Sequence, residues 1–400
     1  MQLEKAVLGK IFFTEYDKSI TGTSMRDPLG LQPIWSYYGR RVISHLTTVS
    51  TDIRGFREVL LCISICGDCK SRHKSESFRD LILLFEQLFI YSAIDHGMTE
   101  GILGADNGIS KYRAAKENPS ISSTETILVR EISLGYYGRY KTPLNTMKVI
   151  NSDSSLVRNI EPMSLYGSKR YNVIAESFDE FVQLNKSSRF FKRFKASDEL
   201  FEAVCGSFRP DEKEFWTGKL QIDGSEKLDL MSACFELVNA DRNYRSVFDE
   251  LQNERAVKDI ERLEPFLRCM ESVFYQALSS KNVSNIVIDQ QDLVKHRDRY
   301  RAFSEITDAK DVNSELLHER MKYLKEYCSP YKAEYIQNVI AYHKRVCEQK
   351  RSSAWLEVDA EGNVQTFVQP DILINIEDWG RDYYMASLYN IKKGIEELSL

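Results

Sequence analysis

Apolar residues recur at helical spacing over most of this chain. The densest case is Phe78–His96, where Leu81, Leu84, Phe85, Leu88, Phe89 and Ala93 repeat at i, i+3 and i+4. Leu83 and Ile90 add a second strip, which predicts a helix buried on most sides. Helices are also expected over Trp35–Leu46, after the turn Asp27-Pro28-Leu29-Gly30, and over Phe56–Cys66. The stretch 101–126 reads as a loop, because it carries Gly101, Gly104, Gly108, Asn118-Pro119 and a Ser/Thr cluster. Another helical pattern starts at Ser123-Thr124-Glu125 and continues beyond Pro143 to Val149.

Further on, Ser177–Leu184, Ser197–Cys205, Glu226–Val238 and Asn253–Leu278 are amphipathic. Val312–Tyr327 follows, with Ser314 as its cap and Leu316, Leu317, Met321 and Leu324 as its apolar stripe. Pro330 separates it from Tyr331–Lys350, where Ile336, Val339, Ile340 and His343 share a side. Asn285–Asp289 is a short β-like run. Trp355–Val358 and Val364–Val368 flank Asp359-Ala-Glu-Gly-Asn363 and predict a β-hairpin, and Asp378–Leu398 predicts a closing helix. The expected fold is mainly α, a multi-helix body with a small C-terminal hairpin, and its element order suggests a winged-helix-like end. The turn-rich Ser152–Ser155 marks a boundary. It gives an N-terminal helical domain over 1–150, a central charged helical region over 151–310, and C-terminal helices plus hairpin over 311–400.

Composition agrees with helices: 400 residues hold only 19 Gly and 9 Pro. The net charge of −5 gives no bulk attraction to nucleic acid, although a local patch can still be basic. No apolar run approaches the roughly 18 residues that span a bilayer. The start Met1-Gln-Leu-Glu-Lys lacks a basic-then-apolar leader. Eight cysteines without framework spacing fit a reducing compartment, so the cytoplasm is the expected location, away from membranes.

Two segments carry candidate chemistry. Cys62-x3-Cys66-x2-Cys69, with His73 nearby, has the cysteine spacing of the radical SAM motif. Yet Phe56, Val59, Leu60, Ile63 and Cys66 form a helical stripe, and a continuous helix suits packed thiols better than a wrapped cluster. Asp68 also stands where that motif usually carries an aromatic residue. The expectation is no metal and no cofactor; the alternative is an Fe–S or zinc protein ligated by Cys62, Cys66, Cys69 and His73. The second segment joins Lys186, Arg189, Lys192, Arg193 and Lys195 to Phe190, Phe191 and Phe194. It offers phosphate neutralisation with stacking and makes a DNA-binding module a further alternative. The plainer reading is a helix end whose phenylalanines enter the core. Arg297, Arg299, Arg301, Lys344 and Arg345, with Lys350 and Arg351, would extend such a patch.

None of the six histidines forms a His-x3-His or His-Glu-x2-His pair, and His296-Arg297-Asp298 lacks the other parts of a kinase site. Phosphate-loop, nucleophile-elbow and nuclease patterns are missing too, so the chain is expected to be non-catalytic. Tyr136, Tyr137, Arg139 and Tyr140, together with Trp379, Tyr383 and Tyr384, are its expected contact anchors, since Tyr, Trp and Arg dominate interfaces.

Asp27-Pro28-Leu29-Gly30-Leu31, Trp35, and Leu46-Thr47-Thr48-Val49-Ser50-Thr51 with Arg54 open a longer pattern. Glu86, Ala93–His96, Gly135-Tyr-Tyr-Gly138-Arg139-Tyr140, and Tyr342-His343 ahead of Trp355 continue it at scattered points over the whole chain. This pattern resembles bacterial accessory proteins encoded beside restriction and SMC-like defence genes, as in Lamassu-type anti-phage and anti-plasmid systems. The resemblance implies an accessory or scaffold subunit in a multi-protein complex. Its partners would be larger subunits, such as an SMC-like ATPase and a nuclease effector, with DNA contacted indirectly. It transfers no catalytic residue.

Overall fold

A computed structural model describes residues 27–72, 76–98, 102–128, 130–186, 197–221, 228–239, 244–306, 315–368 and 374–398. Among the described residues the fold is mostly helical with one small two-stranded sheet. In chain order the helices are α1 (Gln32–Arg40), α2 (Ile53–Arg72), α3 (Phe78–Asp95), α4 (Ala105–Ala114), α5 (Glu131–Leu134) and α6 (Tyr136–Thr146). They continue as α7 (Pro162–Tyr166), α8 (Ser168–Lys186), α9 (Asp198–Cys205), α10 (Pro210–Gln221), α11 (Leu228–Leu237) and α12 (Tyr244–Glu250). The rest are α13 (Arg255–Ser279), α14 (Gln290–Ser304), α15 (Glu315–Tyr327), α16 (Tyr335–Lys350), strands β1 (Leu356–Val358) and β2 (Val364–Thr366), and α17 (Met385–Glu397).

Compactness divides the described residues into two units. One takes the described residues of Val42–Val247 with Tyr384–Leu400; the other takes those of Met1–Arg41 with Phe248–Tyr383.

In the first unit α2 packs on α3, α6 and α8. The α3 helix is buried without a break from Leu81 to Ala93, as its double apolar strip predicts. Ser77 starts it by accepting the Asp80 amide at 3.0 Å, a side-chain cap for an otherwise orphaned donor. Gly55 allows α6 to close on α2: a Cβ there would stand 2.2 Å from Cζ of Tyr140. The expected loop over 101–126 contains α4, whose buried Ala105 and Gly108 pack it on α3. Gly108 is accommodated because α3 comes so close: a Cβ there would sit 2.8 Å from Cδ1 of Ile94. The last helix, α17, packs on α2, α10 and α11.

The second unit is built on α13, which contacts α1, α14, α16 and β2. Strands β1 and β2 pair antiparallel, with Leu356 opposite Thr366 and Val358 opposite Val364. Asp359 fixes their turn by accepting the amides of Glu361 and Asn363 at 3.0 and 2.7 Å. The hairpin is therefore as expected, and α17 is counted with the other unit. The β-like run 285–289 is no strand either: Val283–Asn285 is a 3-10 turn, and Asp289 caps α14 by accepting the Asp292 amide at 2.8 Å. On α15, Leu316 is 39% exposed, while Arg320 joins Leu317, Met321 and Leu324 on the buried side. Arg320 is tolerated there because its guanidinium donates to the Gly30 carbonyl. Among the described residues no helix is long and apolar enough to cross a membrane.

Candidate interaction surface

The second unit carries a chain of exposed tyrosines and cations. Tyr331 lies in the turn between α15 and α16 and is 52% exposed; Tyr327, at the end of α15, is 46% exposed. The Arg297 guanidinium sits 5.4 Å from the centre of the Tyr331 ring, and Arg301 donates to the Tyr331 hydroxyl at 3.1 Å. The next residue, Lys332, lies 5.3 Å from the Tyr327 ring centre. Tyr327 packs on Tyr323 at 4.7 Å between ring centres, and Arg345 of α16 lies 5.3 Å from Tyr323. Tyr323 is backed in turn by buried Tyr342, 5.3 Å away.

Helical spacing explains the row. Residues 323 and 327 are one turn apart on α15, off the stripe of Leu317, Met321 and Leu324 that faces the core. Arg297 and Arg301 are likewise one turn apart on α14. Pro330 ends the run from α15, and the turn that follows turns Tyr331 outward between the two helices. Arg301 also pairs with Asp298 at 3.4 Å, and Arg345 pairs with Glu319, so two of the four cations on the face have a carboxylate beside them. Of the expected basic extensions, Arg297, Arg301 and Arg345 join this face. Arg299 points elsewhere, to the Ile376 carbonyl at 2.7 Å and to Glu377 at 2.8 Å.

The residues expected as anchors are mostly core. Tyr136, Tyr137 and Tyr140 are 2%, 8% and 3% exposed, and Tyr383 and Tyr384 are 0% and 2%. Their polar ends are turned inward: Tyr136 accepts the Leu103 amide, Tyr137 bonds Ser154, Tyr140 accepts the Asp52 amide and Tyr383 donates to Glu264. Arg139 is half-buried and donates to the Leu134 carbonyl, and half-buried Trp379 packs beside Phe248. An aromatic cluster in sequence does not tell which side of a helix faces out. Tyr323, Tyr327, Tyr331 and Lys332 were missed for the same reason, although two tyrosines off an apolar stripe were a readable signal.

The basic stretch is not placed. Arg189, Lys192, Arg193 and Lys195 lie outside the described residues, as does the side chain of Lys186. The cysteines are placed. Cys62, Cys66 and Cys69 lie on the unbroken helix α2, as its apolar stripe predicts, and all three are buried. Sγ of Cys62 and Cys66 are 3.8 Å apart, and Sγ of Cys69 is 3.8 Å from Asp179. Burial pushes the Cys62 and Cys66 thiols up, which disfavours the thiolates a metal takes. His73 lies outside the described residues, and among those described no three His, Cys, Asp or Glu side chains gather as a metal set.

His343 shows how a histidine beside a cysteine serves structure. Its Nε2 accepts the Trp355 amide at 2.9 Å, and Nδ1 reaches the Pro28 carbonyl at 2.8 Å. Both ring nitrogens are thus engaged in one tautomer. Burial lowers its pKa to about 4, and burial raises neighbouring Cys347 to about 11, so this pair is no ready nucleophile and base. No family model, curated protein or solved structure matches the chain.

Proposed function

We propose that this chain is a non-catalytic accessory subunit that docks a larger protein through the tyrosine and arginine face of α14, α15 and α16. The observation that supports this reading is Tyr331, half in solvent with two arginines on it. Tyr and Arg are the residues that interfaces use most, and a tyrosine loses little rotamer freedom on docking. The defence setting, beside an SMC-like ATPase and an effector, rests on the sequence resemblance.

Gentle purification of the tagged full chain from its own host tests the reading. The expected result is a stoichiometric partner that is lost in Tyr331→Ala and Arg297→Ala while the melting temperature stays put. Recovery of a lone monomer, or a partner indifferent to both changes, removes it. Cations over exposed rings also suit single-stranded nucleic acid. Asp298 and Glu319 argue against that alternative, since they offset the charge that phosphates would meet. A steep loss of oligonucleotide affinity with salt would favour it instead.

A further inference from the structure

Helix α5 buries an acid where a helix ordinarily buries an apolar side chain. It has four residues, Glu131–Leu134, and its buried residue is Glu131. Leu134 is 49% exposed. A single turn has no stability of its own, so what it buries decides whether it stays in place. Arg130 before it has a φ of +61°, and Gly135 after it is extended, which sets the turn off from the chain on both sides. Gly135 lets it lie close on α3: a Cβ there would collide with Oε2 of Glu86.

Glu131 enters a cluster of like groups. Glu58 of α2 and Glu86 of α3 are 2% and 1% exposed, and both act on Glu131 and on each other. Glu86 accepts the Tyr137 amide at 2.8 Å, just past α5, and Glu131 accepts the Ile127 amide at 2.7 Å, just before it. Both oxygens of Glu58, Oε2 of Glu86 and Oε1 of Glu131 have no partner.

The groups around the cluster bring little counter-charge. Burial pushes Cys62 and Cys66 of α2, Tyr91 of α3, and Tyr136 and Tyr140 of α6 up, which keeps them neutral. The Tyr137 hydroxyl is bonded to Ser154, and Glu125 adds a negative charge beside Tyr91. The cation that acts on Glu131 is Lys111 of α4, which donates to the Thr126 carbonyl and not to a carboxylate of the cluster. An ionised carboxylate here therefore has to find water.

We propose that α5 is a proton-held latch: it stays closed on α3 while Glu58, Glu86 and Glu131 are neutral, and it swings Glu131 out to water as they ionise, with α2 and α3 left in place. Helices α2 and α3 have 20 and 18 residues and are buried over most of their length, so the single turn yields first. Burial raises Glu86 to about 8 and Glu131 to about 7 in the closed form. Below the ordinary carboxyl value of 4.5 the acids are neutral whether the latch is open or closed. As pH rises from there, the open form gives up protons that the closed form keeps, so opening becomes steadily easier until the closed form ionises too. The latch belongs to the first unit and is read on the isolated chain, so it stands or falls separately from partner docking.

Hydrogen exchange of the full chain, read by mass spectrometry from about pH 5 to about pH 8 and corrected for the base catalysis of exchange itself, is the test. The expected result is a loss of protection over 131–137 of about a hundredfold across that range, while α2 and α3 keep theirs. Glu131→Gln keeps an acceptor for the Ile127 amide without a charge, and should flatten the profile to within about threefold. Glu86→Gln should flatten it in part, and it keeps the test open if the first variant lowers the melting temperature. Carboxyl-carbon NMR should show Glu131 titrating near pH 7. Equal protection at both ends of the range overturns the proposal. So does a loss that α2 and α3 share, which is global unfolding, a loss that both glutamine variants leave intact, or a Glu131 that titrates at its ordinary value.

Discussion

Each unit buries a glutamate network on its central helices, and the two networks are finished differently. In the second unit Glu264 of α13 is 1% exposed and fully engaged. Its Oε1 accepts the Gly380 amide at 2.9 Å and lies 3.3 Å from Arg381, while Oε2 accepts from Tyr383 at 2.6 Å. Arg381 is shared with Glu271, which also holds Arg268 at 2.9 Å. In the first unit Glu58, Glu86 and Glu131 are 2%, 1% and 1% exposed and come from α2, α3 and α5. Glu86 accepts the Tyr137 amide at 2.8 Å and Glu131 the Ile127 amide at 2.7 Å. Both oxygens of Glu58, one of Glu86 and one of Glu131 have no partner. A buried charge must be paired or give up its charge. The second unit pairs; the first protonates. Burial, opposed by the Tyr137 amide, raises Glu86 to about 8, and burial raises Glu131 to about 7; burial also pushes Glu58 well up. The first unit does hold one finished pair, Arg57 with Glu212, both nearly inaccessible, so the contrast is local.

The largest effect should come from breaking a finished pair. Arg57→Ala strands Glu212 and loses the bond to the Gly206 carbonyl, which should cost about 3–5 kcal/mol in urea unfolding. If the loss is under about 1 kcal/mol, pairing is not what holds that core.

Next comes pH. Glu86 and Glu131 hold protons when folded that they lose when unfolded, between the ordinary carboxyl value of 4.5 and about 7 to 8. Their penalty is absent below about 4.5 and grows as pH rises through that window, so stability should fall toward alkaline pH. Glu86→Gln keeps an acceptor for the Tyr137 amide and should stabilise by about 2 kcal/mol at pH 8.5, with little change at pH 5. The same gain at both pH values would show that the folded carboxyl does not titrate there.

Glu58→Met removes two unpartnered oxygens at similar volume and should raise stability by about 1–2 kcal/mol at neutral pH. Destabilisation instead would mean the carboxyl has a partner the geometry does not show. His343→Gln sharpens the other side: losing the links to Pro28 and Trp355 should cost about 1–2 kcal/mol in thermal unfolding. The smallest effect is expected at Tyr331→Ala, within about 0.5 kcal/mol, because an exposed side chain has little to lose on its own.

Local patterns were readable where the deciding interaction is local. The Phe78 helix begins where Ser77 caps it, and the α2 cysteines follow the apolar stripe of their own helix. The hairpin turn is held by Asp359 within five residues. Reading failed where a distant partner decides. The segment 101–126 has loop composition, yet α4 forms because α3 offers Ile90 and Ile94 against its Gly108. Tyr136 and Tyr140 sit in an aromatic cluster that looks like an anchor, yet Gly55, more than eighty residues earlier, makes room to bury Tyr140.

By itself the sequence determined that this chain is helical, where most of its long helices run, and that Cys62, Cys66 and Cys69 lie along one of them. Helical periodicity, caps and tight turns act within a few residues, and so they are written in order along the chain. Only the tertiary structure decided which tyrosines face water and which glutamates find a counter-charge. Those outcomes depend on burial and on partners tens to hundreds of residues away, and neither is encoded in spacing.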